Sequence, residues 1–275
     1  MRITIHVSTR DRHSELALLL QSLRTQSYDQ WDIAILDDAS GTPLVSNYFV
    51  LALINRLQLE GHGVQLFRND FSRGVCAARN KLIESDTTTN PLVCRLDDDV
   101  ILDPDYLFNL VEAIVIGGYD ACSGVVPLLS QPEHSREVSF VSPIINLHVL
   151  DENGDLVVNK DDCGFAYNED VTLPTHQFRT NLLYKRSITD AGVRYPDYLT
   201  KVGFREELFF SFEAIIRGFK IGVRTGAVAH HLQCPSGGCR SLSYAQDVAL
   251  DDATARNWIK SKFETKGNFL AGYGQ

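Results

Sequence analysis

The sequence predicts an α/β fold: a Rossmann-like, mostly parallel central sheet flanked by helices, with a smaller mixed or antiparallel part towards the C-terminus. Three observations carry this expectation. Short apolar runs alternate with segments of helical periodicity through about the first 125 residues, the order that builds a parallel sheet covered on both faces. The apolar fraction, 44% of 275 residues, suffices to bury a full core. Three of the expected strands end in polar or acidic residues, where parallel sheets collect ligands.

Taken in order, Ile3 to Ser8 alternates as a strand. Ser14 to Gln26 carries Leu16, Leu19, Leu20 and Leu23 at helical spacing. Trp31 to Leu36 is an apolar run ending in Asp37-Asp38, a buried strand. Leu44 to Leu59 reads as helix, Val64 to Phe67 as strand and Gly74 to Ile83 as helix. Pro91 to Leu96 is a strand ending at Asp97, and Pro104 to Ile116 a helix with proline at a favourable first-turn position. Tyr119 to Leu129 is a further strand. Val138 to Val158 reads as a hairpin turning at Glu152-Asn153-Gly154-Asp155. Gln177 to Lys185 is expected as strand and Phe204 to Arg217 as helix. Lys220 to Arg224 is a strand that Ala227 to Leu232 extends, and Ser243 to Phe263 is a polar amphipathic helix. With no repeat and no long linker, one domain over residues 1–275 is expected, both halves sharing a sheet.

Charge and targeting narrow the function classes. The 26 basic and 35 acidic residues give a net charge of −9, which argues against a duplex-binding face and predicts no nucleic-acid partner. No apolar run reaches membrane-spanning length, and Met1 to Arg10 reads as a strand instead of a signal peptide. The six cysteines form no CxxC pair, so a cytoplasmic location is the expectation, a Cys234–Cys239 bridge being the exception considered.

The acidic strand ends carry the chemistry. Asp97-Asp98-Asp99 closes a buried strand, with Asp103 and Asp105 close behind. Two carboxylates 4 Å apart repel by about 4 kcal/mol at an effective dielectric of ~20, which a divalent cation relieves. In an extended segment Asp97 and Asp99 share a side, so they can hold Mn²⁺ or Mg²⁺ while Asp98 does something else. A solvated acidic turn capping the next helix is the plain alternative. Asp38 at the end of the second strand suits a nucleotide base or ribose, although an isolated pair of this kind is more often a helix cap. Arg79 can reach a phosphate or pair with an aspartate. No GxGxxG and no P-loop lysine occur.

Together these segments resemble family 2 glycosyltransferases. Thr9-Arg10-Asp11-Arg12, Leu36-Asp37-Asp38-Ala39-Ser40, Arg68-Asn69 with Gly74 to Asn80, and Leu96-Asp97-Asp98-Asp99 follow that family's motifs in order. In the second half, Glu206-Glu207 before Arg217-Gly218-Phe219-Lys220-Ile221 resembles the family's Glu-Asp pair and the segment after it. His230 and His231 fall where members carry a histidine near metal and diphosphate. The resemblance implies a GT-A fold and metal-dependent transfer of a sugar from a nucleotide diphosphate sugar, a UDP-sugar first among them, to an acceptor hydroxyl with inversion. Residues 1–130 would bind the nucleotide sugar and 131–275 the acceptor and the base. Thr9, Arg10, Asp11, Asp38, Arg79, Asp97 and Asp98 would contact the nucleotide sugar. Asp97, Asp99, His230 and His231 are the metal candidates, with Mn²⁺ or Mg²⁺ as cofactor.

Glu207 stands where the family has its catalytic aspartate, with Glu206 beside it. On a helix Glu207, Ser211, Ala214 and Gly218 share a face of mostly small residues, expected to leave room for an acceptor. Without the resemblance, both glutamates read as first-turn partners of the helix dipole. A zinc site from His230, His231, Cys234 and Cys239 is disfavoured, because adjacent strand residues point opposite ways. The acceptor, whether saccharide, lipid-linked or protein, is expected to meet residues 130–200. There Phe165, Tyr167, Phe178 and Tyr184 can stack on sugars or fill core. A sugar-phosphate nucleotidylyltransferase is the rival enzyme, although Val7 to Arg12 lacks the glycine that a triphosphate loop needs. A non-catalytic nucleotide- or sugar-binding module is the other rival. Arg240, beside Gly237-Gly238, is a candidate phosphate contact.

Overall fold

The computed structural model describes residues 1–130, 135–136, 148–150, 156–158, 166–167, 169–178 and 180–266. The first half runs β1 (Ile3–Thr9), α1 (His13–Leu23), β2 (Trp31–Asp37), α2 (Tyr48–Leu59), β3 (Val64–Arg68), α3 (Val75–Ser85), β4 (Leu92–Leu96), β5 (Val100–Leu102), α4 (Tyr106–Val115) and β6 (Ala121–Val125). Four short strands follow, β7 (Ser135–Arg136), β8 (His148–Leu150), β9 (Leu156–Val158) and β10 (Ala166–Tyr167). Then come β11 (Thr172–Pro174), β12 (Leu182–Lys185), α5 (Ser187–Asp190), α6 (Glu206–Ile216), β13 (Ile221–His231) and α7 (Tyr244–Lys266).

The main sheet has the order β11-β13-β6-β12-β4-β1-β2-β3, and β5 also pairs with β13. β1 runs parallel to β2 and β4, β2 to β3, and β6 to β13. β12 is antiparallel and fills the gap between β4 and β6. Strands from both halves of the chain therefore belong to one sheet. Its core strands are apolar on both faces: β2 and β4 bury almost every side chain, as strands between two helical layers must. On one side Ile3, Ile5 and Val7 of β1 pack with Leu16, Leu19, Leu20 and Leu23 of α1.

Several elements differ from expectation for local reasons. The helix expected from Leu44 splits, because Asn47 takes an extended conformation and its side chain accepts from Val50 N–H at 3.1 Å, starting α2 afresh. Pro104 precedes α4 instead of opening it; its carbonyl accepts from Ser27 N–H at 2.8 Å. Only Leu182–Lys185 of the expected Gln177 strand pairs as strand. The two expected strands after Lys220 are one, β13, with a register irregularity between Val223 and Val228. Strand β5 was hidden among the acids. The expected hairpin is present as β8 against β9, with Leu150 opposite Leu156; its turn lies outside the described residues. Phe178 and Tyr184 are buried core, while Phe165 and the side chain of Tyr167 lie outside the described residues. Cys234 and Cys239 are free thiols, not a bridge: Cys234 Sγ donates to Glu15 at 2.8 Å.

The other face of β1 buries polar groups, and each needs a partner. Asp86 serves them, meeting His6 Nε2 at 3.2 Å and Arg186 Nη2 at 2.7 Å. Burial alone would raise the Asp86 carboxyl; the hydrogen bonds from His6 and Arg186 outweigh it and hold the group well below the usual carboxylate range. Such a group stabilises the fold above the unfolded value near ~4, and that stability is lost as pH falls below it. Asp86→Asn is accordingly expected to lower the urea midpoint at pH 7 and to flatten the decline of stability below about pH 4. Denaturation curves collected across that range check both. A second expectation concerns Gly74, which leads into α3 at φ +97° with its Cβ position 2.6 Å from the Lys201 backbone. Gly74→Ala should cost about 1–3 kcal/mol, seen as a lower urea midpoint at unchanged slope.

Candidate functional site

A cleft of about 810 Å³ opens at the carboxyl ends of β1, β2 and β4. Of the residues singled out in the sequence, Thr9, Arg10, Asp38, Arg79, Asp97, Asp98, Asp99, Glu206, Glu207 and His231 line it. Asp11 and His230 do not. Asp11 instead ties two loops together: its N–H donates to Ser40 Oγ at 2.9 Å, and its carboxylate accepts from Gly41 N–H at 2.7 Å.

The paired acids after β2 divide their work. Asp37 turns inward and accepts from Ser40 N–H at 2.8 Å and Leu44 N–H at 2.9 Å, with Arg68 also paired to it. It is the loop's internal brace. Asp38 faces the cleft, held by Asn69 Nδ2 and Ser72 Oγ, each at 2.6 Å.

The three acids after β4 divide likewise. Asp97 faces two guanidiniums, Arg79 Nη2 and Arg95 Nη1, each at 2.9 Å, and the Thr180 hydroxyl bonds to it as well. Burial alone would raise Asp97; Arg95 and Arg79 outweigh it and keep the carboxyl well below its ordinary range. Asp98 and Asp99 share one cation, Arg12 Nη1, at 3.0 Å from each. Burial pushes the Asp98 carboxyl up to about 7; Arg12 opposes this shift and the neighbouring Asp99 adds to it. One guanidinium thus serves two buried carboxylates.

Strand pairing decides the histidines. In the antiparallel β5–β13 ladder His231 lies opposite Val100, the residue after Asp99, and Leu232 N–H donates to the Asp99 carbonyl at 2.9 Å. His231 Nε2 consequently comes within 3.3 Å of Asp99 Oδ1. Burial disfavours the imidazolium, but the Asp99 carboxylate prevails and raises His231 above its ordinary value. His230 points the opposite way, to Asp103 at 3.2 Å. A carboxylate beside an imidazole is a donor set that suits Mn²⁺. Among the described residues no group of three Asp, Glu, His or Cys side chains is arranged to hold a metal ion, which leaves the zinc site from His230, His231, Cys234 and Cys239 unsupported. A cation at Asp99 and His231 would take its remaining ligands from diphosphate oxygens and water, as hard cations at phosphate sites do.

The two glutamates at the start of α6 occupy different environments. Glu206 is buried and paired with Arg79, with Arg95 Nη2 3.6 Å away. Glu207 is more open to the cleft, 3.6 Å from the same Arg95 nitrogen. The small face below Glu207 does not receive a ligand. Ser211 and Ala214 are fully buried, and Ser211 Oγ accepts from Phe178 N–H at 2.9 Å. The space that small side chains leave is filled by the segment before β12, so an acceptor must approach from the open side of Glu207.

Sequence reasoning assigned no role to Arg12, Arg95 or Thr180. Arg95 had left a signal: a charge inside an otherwise apolar strand is almost never buried without partners. Arg12 stood in the quoted first-loop motif without an assigned task, and Thr180 left no signal, because its partners are remote in sequence.

Residues 4–173 match the family model described as Glycosyl transferase family 2. The chain belongs to this family. Solved structures agree on the fold, which is GT-A. One neighbour is GalNAc-T7, solved with UDP, GalNAc and Mn²⁺, at TM-score 0.67 and 13% identity over 90% of this chain. The chain spans about half of that protein, 47% of its length. Another is the Staphylococcus aureus protein TarS, residues 1-349, at TM-score 0.58 and 14% identity, covering 98% of this chain and 76% of that one. A third is the mannosyltransferase PcManGT from Pyrobaculum calidifontis, in complex with GDP-Man and Mn²⁺, at TM-score 0.56 and 14% identity, covering 85% and 57%. No curated protein matches the sequence. Among the described residues, no helix of this family 2 glycosyltransferase domain is long and apolar enough to cross a membrane.

The different burial of the two glutamates gives a sharp expectation. Glu206→Ala strips a carboxylate from two buried guanidiniums and should cost about 3–5 kcal/mol. Glu207→Gln should stay within about 1 kcal/mol of the parent. Guanidinium chloride midpoints of the two variants, measured side by side, check the contrast.

Proposed function

We propose that the chain transfers a sugar from a nucleoside diphosphate sugar, a UDP-sugar first among the candidates, to an acceptor hydroxyl with inversion at the anomeric carbon. The observation that carries the reading is that one cleft joins Asp38, the Asp99–His231 pair and Glu207. Its distribution of charge fits such a donor. Thr9, Arg10 and Asp38 would hold the nucleoside, and Asp97, oriented by Arg79 and Arg95, the ribose side. Asp99 and His231 would hold Mn²⁺ or Mg²⁺, which when bound neutralises charge developing on the departing diphosphate. Arg12 would release part of its hold on Asp99 when that cation enters. Asp11 and His230 are left to structural tasks. The nucleotide side of the cleft comes from residues 1–130 and the acceptor side from 131–275 of one domain.

Glu207 is the acceptor-activating group in this reading. It is the glutamate that retains access to the cleft, with Arg95 Nη2 3.6 Å from its carboxylate. Its carboxylate would take the proton from the attacking hydroxyl, a contribution of ~10²–10⁴ in rate. Glu206 would orient Arg79 and Arg95 and leave proton transfer to its neighbour. A saccharide, lipid-linked or protein acceptor would approach across residues 130–200.

A thermal-shift panel of UDP, GDP, CDP and dTDP, each with Mn²⁺, with Mg²⁺ and with EDTA, tests the donor site. A ligand at a hundredfold its Kd adds ~2.7 kcal/mol, which raises Tm by roughly 5 °C for a chain of this size. One diphosphate should give this shift, EDTA should abolish it, and Asp99→Ala or His231→Ala should remove its metal-dependent part. No shift with any diphosphate would overturn the reading. Glu207→Gln is expected to keep the nucleotide shift and to lose a hundredfold or more in turnover.

A further inference from the structure

Resting on that reading, we propose that the carboxamide of Gln177 accepts a hydrogen bond from a hydroxyl of the transferred sugar and thereby selects which sugar the cleft takes. Gln177 lies on the segment between β11 and β12, lines the cleft and is only 5% exposed. Its Oε1 atom is buried and has no hydrogen-bond partner among the described residues. An unpaired buried acceptor is destabilising, and native structures keep few of them. One carried by a residue that lines a cleft, where a ligand can supply the missing donor, has a physical reason to be kept.

The anchoring of the segment shows which part of the ligand it would meet. At one end Phe178 N–H donates to Ser211 Oγ, and Ser211 Oγ donates at 2.5 Å to the carbonyl of Glu207, one turn earlier in α6. At the other end the Thr180 hydroxyl bonds to Asp97 and accepts from Arg95 Nη1 at 2.6 Å. The residue itself is braced by Thr175, whose hydroxyl donates to the Gln177 carbonyl at 2.9 Å and accepts from Gln177 N–H at 3.2 Å. Gln177 and the two anchored residues after it, Phe178 and Thr180, thus form one wall of the cleft, tied to Asp97, which the reading gives to the nucleotide side, and to the helix of Glu207, which it gives to the acceptor side. The piece of a nucleoside diphosphate sugar that spans these two sides is the sugar being transferred. A ring hydroxyl can donate to the Gln177 oxygen; a deoxy position cannot. Sites built to bond a hydroxyl reject the analogue lacking it far more strongly than apolar pockets reject a missing methylene.

The test separates the sugar from the nucleotide. Calorimetry with Mn²⁺ compares the nucleoside diphosphate that stabilises the protein with its glucose, galactose, N-acetylglucosamine, N-acetylgalactosamine and mannose conjugates. The 2-, 3-, 4- and 6-deoxy forms of the best binder follow. On the unmodified protein one deoxy position should weaken binding by roughly tenfold or more. In Gln177→Leu that penalty should vanish, and the parent sugar nucleotide should bind roughly tenfold more weakly, while the bare diphosphate binds within about twofold of the parent protein. Gln177→Met, closer in length, replaces the leucine variant should that one fail to fold. Unchanged discrimination among the deoxy forms in either variant overturns the role of Gln177 while leaving the donor site standing. Equal losses for the diphosphate and its sugar conjugates would mean that Gln177 only supports the fold of the cleft, and would overturn it too. Absence of diphosphate binding in the unmodified protein would overturn the donor-site reading itself.

Discussion

Two buried guanidiniums, Arg79 on α3 and Arg95 on β4, organise the acidic end of the sheet. A charge in a buried strand is tolerated only when carboxylates and hydroxyls surround it. Here these come from three directions: Asp97 from the end of the same strand, Glu206 from the start of α6, and Thr180 from the segment before β12. The pairing fixes α6 against the sheet, and α6 carries Glu207. It orients Asp97 too. The position of the proposed base and the orientation of Asp97 are therefore consequences of one electrostatic requirement. Neutralising any member would leave a buried charge without compensation.

A second constraint is the geometry of the sheet. Parallel strands bring their carboxyl ends to one edge: β1 ends in Thr9, and β2 and β4 are followed by Asp38 and Asp97, all of which line the cleft. The antiparallel pair β5 and β13 crosses that edge and delivers His231 to Asp99. Because neighbouring strand residues face opposite ways, the same pairing sends His230 to Asp103. Asp98 and Asp99 are met by Arg12, and Asp99 also by His231, so the acidic cluster and the imidazole stand together where the proposed divalent ion would sit. The loop carrying Gly237 and Gly238 rests on the first loop, with Gly238 N–H donating to the Arg10 carbonyl at 2.8 Å and Arg12 Nε to the Ser236 carbonyl at 3.0 Å. Arg240 lines the cleft from that loop and stacks on Tyr244.

Within each acidic cluster, neighbours in sequence take different tasks. Asp37 braces a loop while Asp38 faces the cleft. Asp97 joins the guanidiniums while Asp98 and Asp99 meet Arg12. Glu206 is sequestered while Glu207 keeps access to the cleft. Residue type is the same or nearly so in each case; burial and partners make the difference. This explains why Asp98 is raised and Asp97 depressed although they are adjacent.

The sequence by itself determined the α/β class, the order of the principal elements, and most of the residues that meet in the cleft. Those features are written locally: alternating apolar runs, leucines at helical spacing, and acids placed where a buried strand must end. It also carried the family motifs, since these are short and contiguous. The tertiary structure alone decided which histidine meets Asp99, that Asp11 bonds to the loop after β2, and that Phe178 covers the small face of α6 at Ser211. It decided too that β5 exists, because a three-residue strand is stable only through its partner. Arg12, Arg95 and Thr180 acquired their places the same way. Each depends on contacts between segments far apart in the chain, whose register and burial no local pattern of residues encodes.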